Sequence, residues 1–389
     1  MQSTRKYWKF LAAFALSLFL LPAATLAQHY QQTNLVSNIP GMAPTIDPNL
    51  KNPWGLTRSS TTPAQPGSPW WIGNNNSGTS TLYDGNGNII PLVVTVPPPT
   101  GSSANTQSAP TGVVFNCSPT DFLLAPGKRA IFIFATEDGT ISGWNPGIDL
   151  HNAVLKVDNS DGGRADGAVY KGATTGEING KKFLYVTNFR SAKVEVYDTN
   201  FKRVHISEDA FDPDGDGDRD GDDRGAERVP RGFAPFNIQN IGGSLLVTYA
   251  KQDAARHDPV GGDGLGFVEI FTPSGKHIGH LQHGDWFNAP WGVVWTTRDF
   301  GEFSNAILVG NFRSGWIAAF NGFTHKFLGF VKGPDDSLLF IDGLWSLTFG
   351  NDATAGPANT LFFTAGINNE QDGLFGTLTP VDGLDGDEE

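Results

Sequence analysis

The chain has 389 residues and a globular composition, with 39% hydrophobic and 17% charged residues. Its 48 glycines, 25 prolines and 12% aromatic residues favour strands over helices, because glycine and proline break helices. The net charge of −13 disfavours nucleic-acid binding, and the single cysteine excludes an intrachain disulfide and a multi-cysteine metal site.

The N-terminal residues 1–27 have the layout of a secretory signal peptide. Three basic residues (Arg5, Lys6 and Lys9) precede an apolar run at 10–21, and small residues follow at 23–27. The alternative is a membrane anchor, but about twelve apolar residues are too few to span a bilayer of ~30 Å. The sequence therefore predicts cleavage after residue 27 and a secreted chain, periplasmic or extracellular, with no stable membrane anchor.

A short motif recurs along residues 52–347, and its clearest copy is Pro290-Trp291-Gly292-Val293. The anchor positions of the six copies are Gly55, Gly112, Gly167, Asn237, Gly292 and Ser346. Their spacings are 57, 55, 70, 55 and 54 residues. Each unit contains short apolar runs separated by turn signals such as Asn321-Gly322. Four short strands in each of six units predict an all-β fold, a six-bladed β-propeller with four antiparallel strands per blade.

The last unit contains only three runs and stops near Val381. An isolated run at 33–36 precedes the first anchor, so we expect this N-terminal strand to complete blade six and close the ring. A flexible N-terminal tail is the alternative. The predicted organisation is a signal peptide at 1–27, a propeller at 28–381 with an acidic insertion at 208–230, and a disordered acidic tail at 382–389.

The repeating unit, with Pro-x-Gly-apolar, an apolar run ending in Asn, Val-x-Val-Tyr-Asp and a glycine turn, resembles the NHL-type repeat. The whole chain also resembles an uncharacterised family of secreted bacterial propellers, some of which end in a PEP-CTERM sorting signal. This chain ends in acidic residues without a hydrophobic tail, so we expect it to be released. The resemblance implies no known reaction. In the similar gluconolactonase-type propellers Glu, Asn and Asp hold a metal in the tunnel; Asp285 and Asp342 could face such an ion, but the full ligand set is not matched.

The acidic insertion resembles a calcium-binding loop. Read from Asp216, it has acids at positions 1, 3 and 5, Gly221 at position 6 and Glu227 at position 12. A second frame begins at Asp212, and the alternative to both is a solvated acidic linker. The predicted ligands of a structural Ca²⁺ are Asp212, Asp214, Asp216, Asp218, Asp220, Asp222 and Glu227.

One face of the predicted propeller carries the loops between second and third strands. The sequence Asn-Phe-Arg-Ser occurs there twice, and Asn74 is equivalent in blade one. The predicted ligand-face residues are Asn74, Asn188, Arg190, Asn311 and Arg313. Arginine forks suit carboxylate or phosphate groups. The alternative is structural, with the asparagines capping turns and the arginines pairing with acids of neighbouring blades.

Motifs of known catalytic sites are mostly absent from the sequence. His277, His280 and His283 are three residues apart, which places them on alternating faces of a strand and argues against a metal site. The sequence favours a monomeric binding scaffold for a small molecule, a glycan or a protein. The alternative is a metal-dependent hydrolase or lactonase with an ion in the tunnel, and the sequence leaves open whether the protein is an enzyme. An enzyme should gather three or more carboxylate or amide groups around the axis, whereas a binder may fill the axis with apolar groups.

Overall fold

A computed structural model of the chain describes residues 28–63, 65–163, 166–213 and 229–382. The predicted signal peptide, the calcium ligands from Asp214 to Glu227 and the tail residues 383–389 lie outside the described residues. Within the described residues the helices are two single 3-10 turns, Asp161–Gly163 and Gly301–Phe303. Neither is long and apolar enough to cross a membrane.

The strands form six antiparallel blades. The chain starts with β1 (His29–Ser37) and β2 (Thr45–Ile46). Blade one contains β3 (Pro53–Thr57), β4 (Trp70–Asn74), β5 (Thr79–Tyr83) and β6 (Ile89–Thr95). Blade two contains β7 (Pro110–Phe115), a side hairpin of β8 (Leu123–Ala125) and β9 (Lys128–Arg129), then β10 (Phe132–Thr136), β11 (Thr140–Trp144) and β12 (Val154–Asp158). Blade three contains β13 (Tyr170–Ile178), β14 (Lys181–Asn188), β15 (Lys193–Tyr197) and β16 (Arg203–Val204).

The second half of the ring repeats this order. Blade four contains β17 (Phe233–Ile241), β18 (Ser244–Gln252), β19 (Pro259–Val260), β20 (Gly266–Phe271) and β21 (His277–His280). Blade five contains β22 (Pro290–Trp295), β23 (Ala306–Asn311), β24 (Ile317–Asn321) and β25 (Phe327–Phe330). Blade six contains β26 (Leu344–Phe349), β27 (Leu361–Ala365) and β28 (Leu374–Val381), followed in the sheet by β1 and β2.

The two ends of the chain close the ring, which confirms the prediction for residues 33–36. Strand β1 pairs antiparallel with β28 over its whole length, from His29 opposite Val381 to Ser37 opposite Leu374. Tyr30 of β1 is fully buried, and its hydroxyl donates to the Phe300 carbonyl at 3.0 Å. The N-terminal strand therefore joins blade six to blade five as well as completing its own sheet.

The anchor glycines recur because the innermost strands approach each other closely there. A Cβ on Gly55 would lie 2.4 Å from the Thr111 carbonyl oxygen, so any larger residue would clash with blade two. The third anchor was predicted wrongly at Gly167, which lies in the loop before β13. Gly172 is the equivalent position, since its added Cβ would meet Asn237 of blade four at 2.2 Å.

The hydrophobic core lies mainly between neighbouring blades. Among the described residues, six buried clusters each join two adjacent blades, and a seventh lies on the axis. Such wedges of apolar side chains hold a propeller together, because each small sheet buries little surface alone. The rigid ring fixes the positions of the loops at its two ends.

We expect the substitution Tyr30→Ala to lower the free energy of unfolding by about 3–5 kcal/mol, the usual cost of truncating a buried aromatic residue. Gln31→Ala, at the exposed neighbouring position of β1, is the matched control and should change it by less than about 0.5 kcal/mol. Urea denaturation of both variants measures the difference. Equal stabilities would show that β1 does not seal the ring.

Candidate functional site

The axis of the propeller is plugged by aromatic side chains. Trp54 of blade one stacks on Trp345 of blade six with ring centroids 3.6 Å apart, and its edge meets Trp291 of blade five at 6.1 Å. Phe236 of blade four lies 6.3 Å from Trp54. All four side chains are buried. Because Trp54 touches blades across the ring, these residues fill the centre rather than a single interface between blades.

Blade three contributes a lysine to this plug. Lys171 occupies the position before the anchor residue, where blades one, five and six carry tryptophan, blade four phenylalanine and blade two threonine, and it is fully buried. Its ammonium lies 5.2 Å from the centroid of the Trp54 ring and 5.7 Å from that of Phe189. It forms ion pairs with Glu137 of blade two and, at 3.2 Å, with Asp258 of blade four. Two carboxylates therefore compensate the buried charge on the side where the plug meets solvent.

Around this ammonium, each blade contributes one polar side chain to an assembly that we call the axial mouth. In blade order its members are Asn75, Glu137, Lys171, Asp258, Arg313 and Glu370. Asn75 donates to Glu137 Oε2 at 2.8 Å. Asn52 donates to Glu370 Oε2 at 3.2 Å and accepts from the Trp345 indole at 2.9 Å, which ties the mouth to the plug.

The charges of the axial mouth are strongly coupled. The hydrogen bond of 2.9 Å between His257 and Asp258 raises the pKa of the histidine and lowers the pKa of the carboxyl. Burial raises the pKa of Glu370, and the negative charge of Glu137 adds to this rise. Lys171 and Arg313 oppose it with their positive charges. The mouth thus presents acceptors and donors side by side, with Asp258 and Arg313 open to solvent.

The tunnel below the plug is narrow. A cavity of about 30 Å³ lies among the innermost strands, lined by residues such as Gly55, Gly112 and Ser346. That volume is close to the share of one water molecule in the liquid. The tunnel itself is therefore too small to hold an organic ligand.

The predicted ligand-face asparagines lie at this end of the ring but bond internally. Asn74 donates to Thr81 Oγ1 at 2.9 Å. Asn188 donates to Glu195 Oε1 at 2.9 Å. Asn311 donates to the Trp286 carbonyl at 3.0 Å. All three are buried, and their contacts hold the ends of the second strands.

The two predicted arginines lie nearer the surface. Arg190 donates to the Gly167 carbonyl at 2.7 Å. Arg313 donates to the Pro259 carbonyl at 3.2 Å and stacks 4.6 Å from the centroid of Phe312. Of the two, Arg313 belongs to the axial mouth, where its positive charge lowers the pKa of Glu370. Ligand binding by either arginine stays a prediction.

Three further residues that the sequence analysis considered as metal ligands are described by the structure. Of the predicted calcium ligands only Asp212 is described; its amide bonds to the Asp209 carbonyl at 3.3 Å. Asp342 accepts from the amide of Asn368 at 2.8 Å, and Asp285 is exposed.

Five residues of the mouth and its surroundings are not among the residues predicted from the sequence: Glu137, Lys171, His257, Asp258 and Glu370. Glu137 follows the second strand of blade two, the position that Asn75 holds in blade one. Extending the strand-end motif to blade two would have found it. Lys171 could not be recognised as the residue before an anchor, because the sequence motif predicts the third anchor at Gly167 instead of Gly172.

No protein-family model matches the chain, so the likeness to NHL-type repeats holds at the level of the fold. The chain is 30% identical over 355 residues to Uncharacterized protein R648 of Acanthamoeba polyphaga mimivirus, covering 88% of this chain and 78% of that protein. It is 27% identical over 359 residues to Uncharacterized protein L690 of the same virus, covering 88% and 84%. Membership of a secreted bacterial family stays a prediction.

Solved propellers share the architecture at low sequence identity. A structural genomics protein of unknown function from Bacteroides thetaiotaomicron matches with a TM-score of 0.50 and 10% identity. The match covers 90% of this chain and 76% of that chain. It supports the fold alone.

We expect Lys171→Met to destabilise the protein by about 3 kcal/mol, because it leaves Glu137 unpaired in a largely buried site. The matched control is Lys182→Met at the opposite end of blade three, where an exposed pair with Glu177 spans 3.3 Å. That change should cost about 0–1 kcal/mol. Denaturation of both variants in urea tests the difference, and a Lys171 variant as stable as the control would contradict it.

Proposed function

The chain belongs to the same family as Uncharacterized protein R648 of Acanthamoeba polyphaga mimivirus, and for this member we propose binding of a hydroxyl-rich ligand, such as a glycan, at the axial mouth. The observation that carries the proposal is the convergence of six polar side chains, one from each blade, above the aromatic plug of the axis. A few convergent polar groups in a concave position are typical of a ligand site.

The chemistry of the mouth favours a neutral ligand with many hydroxyl groups. Carboxylates of Glu137, Asp258 and Glu370 accept hydroxyl hydrogens, whereas Arg313 and Asn75 donate to hydroxyl oxygens. Since both signs of charge lie within one small area, a strongly charged ligand would meet repulsion as well as attraction. A glycan can satisfy both kinds of partner.

A second candidate function is that of a metal-dependent hydrolase or lactonase. One oxygen or nitrogen from each of Glu137, His257 and Asp258 lies within 4.8 Å of the others, as in a cation site. However, the Lys171 ammonium already pairs with both carboxylates. A metal would have to compete with this built-in cation, and we therefore favour binding without metal chemistry.

Binding of saccharides, measured on a glycan array and by calorimetry, tests the proposal. Glu370→Gln and Arg313→Ala should each weaken binding by about tenfold or more, the usual cost of losing one charged hydrogen bond. Arg190→Ala tests whether the site extends from the axial mouth to this arginine of blade three. The matched control is Glu177→Gln at the opposite end of blade three, which should leave the affinity unchanged.

Two results would contradict this account. If the Glu370 and Arg313 variants bind saccharides with unchanged affinity, the binding site does not lie at the axial mouth. If the protein hydrolyses lactones and chelators abolish this activity, the result would favour the metal-dependent alternative.

We also propose that the acidic insertion binds a structural Ca²⁺, on the basis of its alternate aspartates. Calcium should raise the melting temperature, because it binds the folded state. Asp216→Ala combined with Asp220→Ala should abolish the rise. Mg²⁺ at the same concentration is the control, and a parent protein that melts at the same temperature with and without calcium would refute the site.

Export after cleavage at residue 27 fits the fold. Strand β1 begins at His29, so the cleaved chain would keep the whole strand that closes the ring. Mass spectrometry of the N-terminus of the exported protein would test this cleavage site.

A further inference from the structure

The outer edge of blade four brings two histidines to one side of the sheet. His277 and His280 are three residues apart, which on a regular strand places them on opposite faces. Strand β21 is irregular: His280 pairs with Glu269 and His277 with Phe271, so Ile278 is an extra residue in the ladder. This β-bulge shortens the effective spacing to two and corrects the expectation of alternating faces.

The bulge directs both imidazoles toward Glu269 of β20. The Nε2 atom of His277 lies 2.6 Å from Glu269 Oε2. One ligand atom from each of the three residues lies within 4.8 Å of the others. Glu269 is only 3% exposed, whereas both histidines are partly exposed, so the group opens outward from a buried carboxylate.

Blade three provides an internal comparison. Glu195 holds the position in β15 that Glu269 holds in β20, and it is also buried. Its carboxylate accepts hydrogen bonds from Asn188 and from the hydroxyls of Tyr170 and Tyr197, at 2.7–2.9 Å. Arg203 of β16 also pairs with this carboxylate at 3.3 Å. The same carboxylate position is thus surrounded by amide, hydroxyl and guanidinium groups in blade three and by imidazoles in blade four.

We propose that Glu269, His277 and His280 bind one divalent transition-metal ion of the Zn²⁺ class. Two imidazole nitrogens and a carboxylate oxygen are ligands that Zn²⁺, Co²⁺ and Ni²⁺ accept, and three protein ligands leave a position for water. Bonds of about 2.0–2.2 Å need ligand atoms separated by about 3.3 Å, so the His277–Glu269 pair opens slightly on binding. The ion replaces the hydrogen bond between them and joins the short edge strand β21 to β20.

Calorimetric titration of the metal-free protein with Zn²⁺, in excess Ca²⁺ to saturate the acidic insertion, tests the proposal. We expect one equivalent to bind and the melting temperature to rise. His277→Gln and His280→Gln should each weaken binding by more than the roughly 10–100-fold expected for an outer-shell partner. The proposal would be overturned if Zn²⁺ showed no saturable binding, or if both variants bound it with unchanged affinity.

Two controls separate this group from other histidines. His283→Gln leaves the group intact, because His283 stacks on Phe267 at 4.2 Å and approaches the Gly264 carbonyl. His257→Gln removes the histidine of the axial mouth. Both variants should bind Zn²⁺ like the parent.

A measurement on the parent protein avoids any folding defect of the variants. Zn²⁺ should protect His277 and His280, but not His257, from modification by diethyl pyrocarbonate, read by peptide mass spectrometry. Equal modification of His277 and His280 with and without Zn²⁺ would overturn the proposal.

Discussion

The composition of the axial mouth depends on one buried charge, the ammonium of Lys171. An ammonium without partners in a dry interior costs several kcal/mol, so the neighbouring blades must supply acids. Glu137 comes from blade two and Asp258 from blade four, and each reaches the axis from the loop after a second strand. The lysine on an innermost strand thereby determines which loops must meet above the plug.

The axis then divides into two layers of different composition. Below, stacked aromatic rings such as Trp54 and Trp345 join opposite blades and leave a cavity of about 30 Å³. Above, polar groups from all six blades converge, and Asp258 and Arg313 are exposed to solvent. An axis lined with carboxylates and amides and an axis filled with apolar groups are alternatives at the level of the sequence, and the molecule has both in separate layers. The aromatic layer fits the proposed binding protein better than a tunnel enzyme, and the polar layer would supply the contacts to the proposed ligand.

The fold could be predicted from the sequence because the same pattern of short apolar runs and turns occurs in six successive units. Four runs per unit and an unpaired run at 33–36 were enough to give the number of blades and their closure. The site could not be predicted as well, because it depends on which loops converge. Lys171 and Glu370 lie in poor copies of the motif, and nothing local shows that they meet. The bulge at Ile278 is likewise a property of strand pairing, so residue spacing alone gave the wrong face for His280.

Equivalent positions in different blades have acquired different chemistry on the same backbone. The position before the anchor glycine is tryptophan in blades one and five and lysine in blade three. A double-mutant cycle with Lys171→Met and Glu137→Gln measures most directly whether this lysine organises the mouth. We predict a coupling free energy of about 2–3 kcal/mol between the two side chains, at the upper end for residues in contact. A coupling below about 0.5 kcal/mol would show that the ion pair does not hold the mouth together.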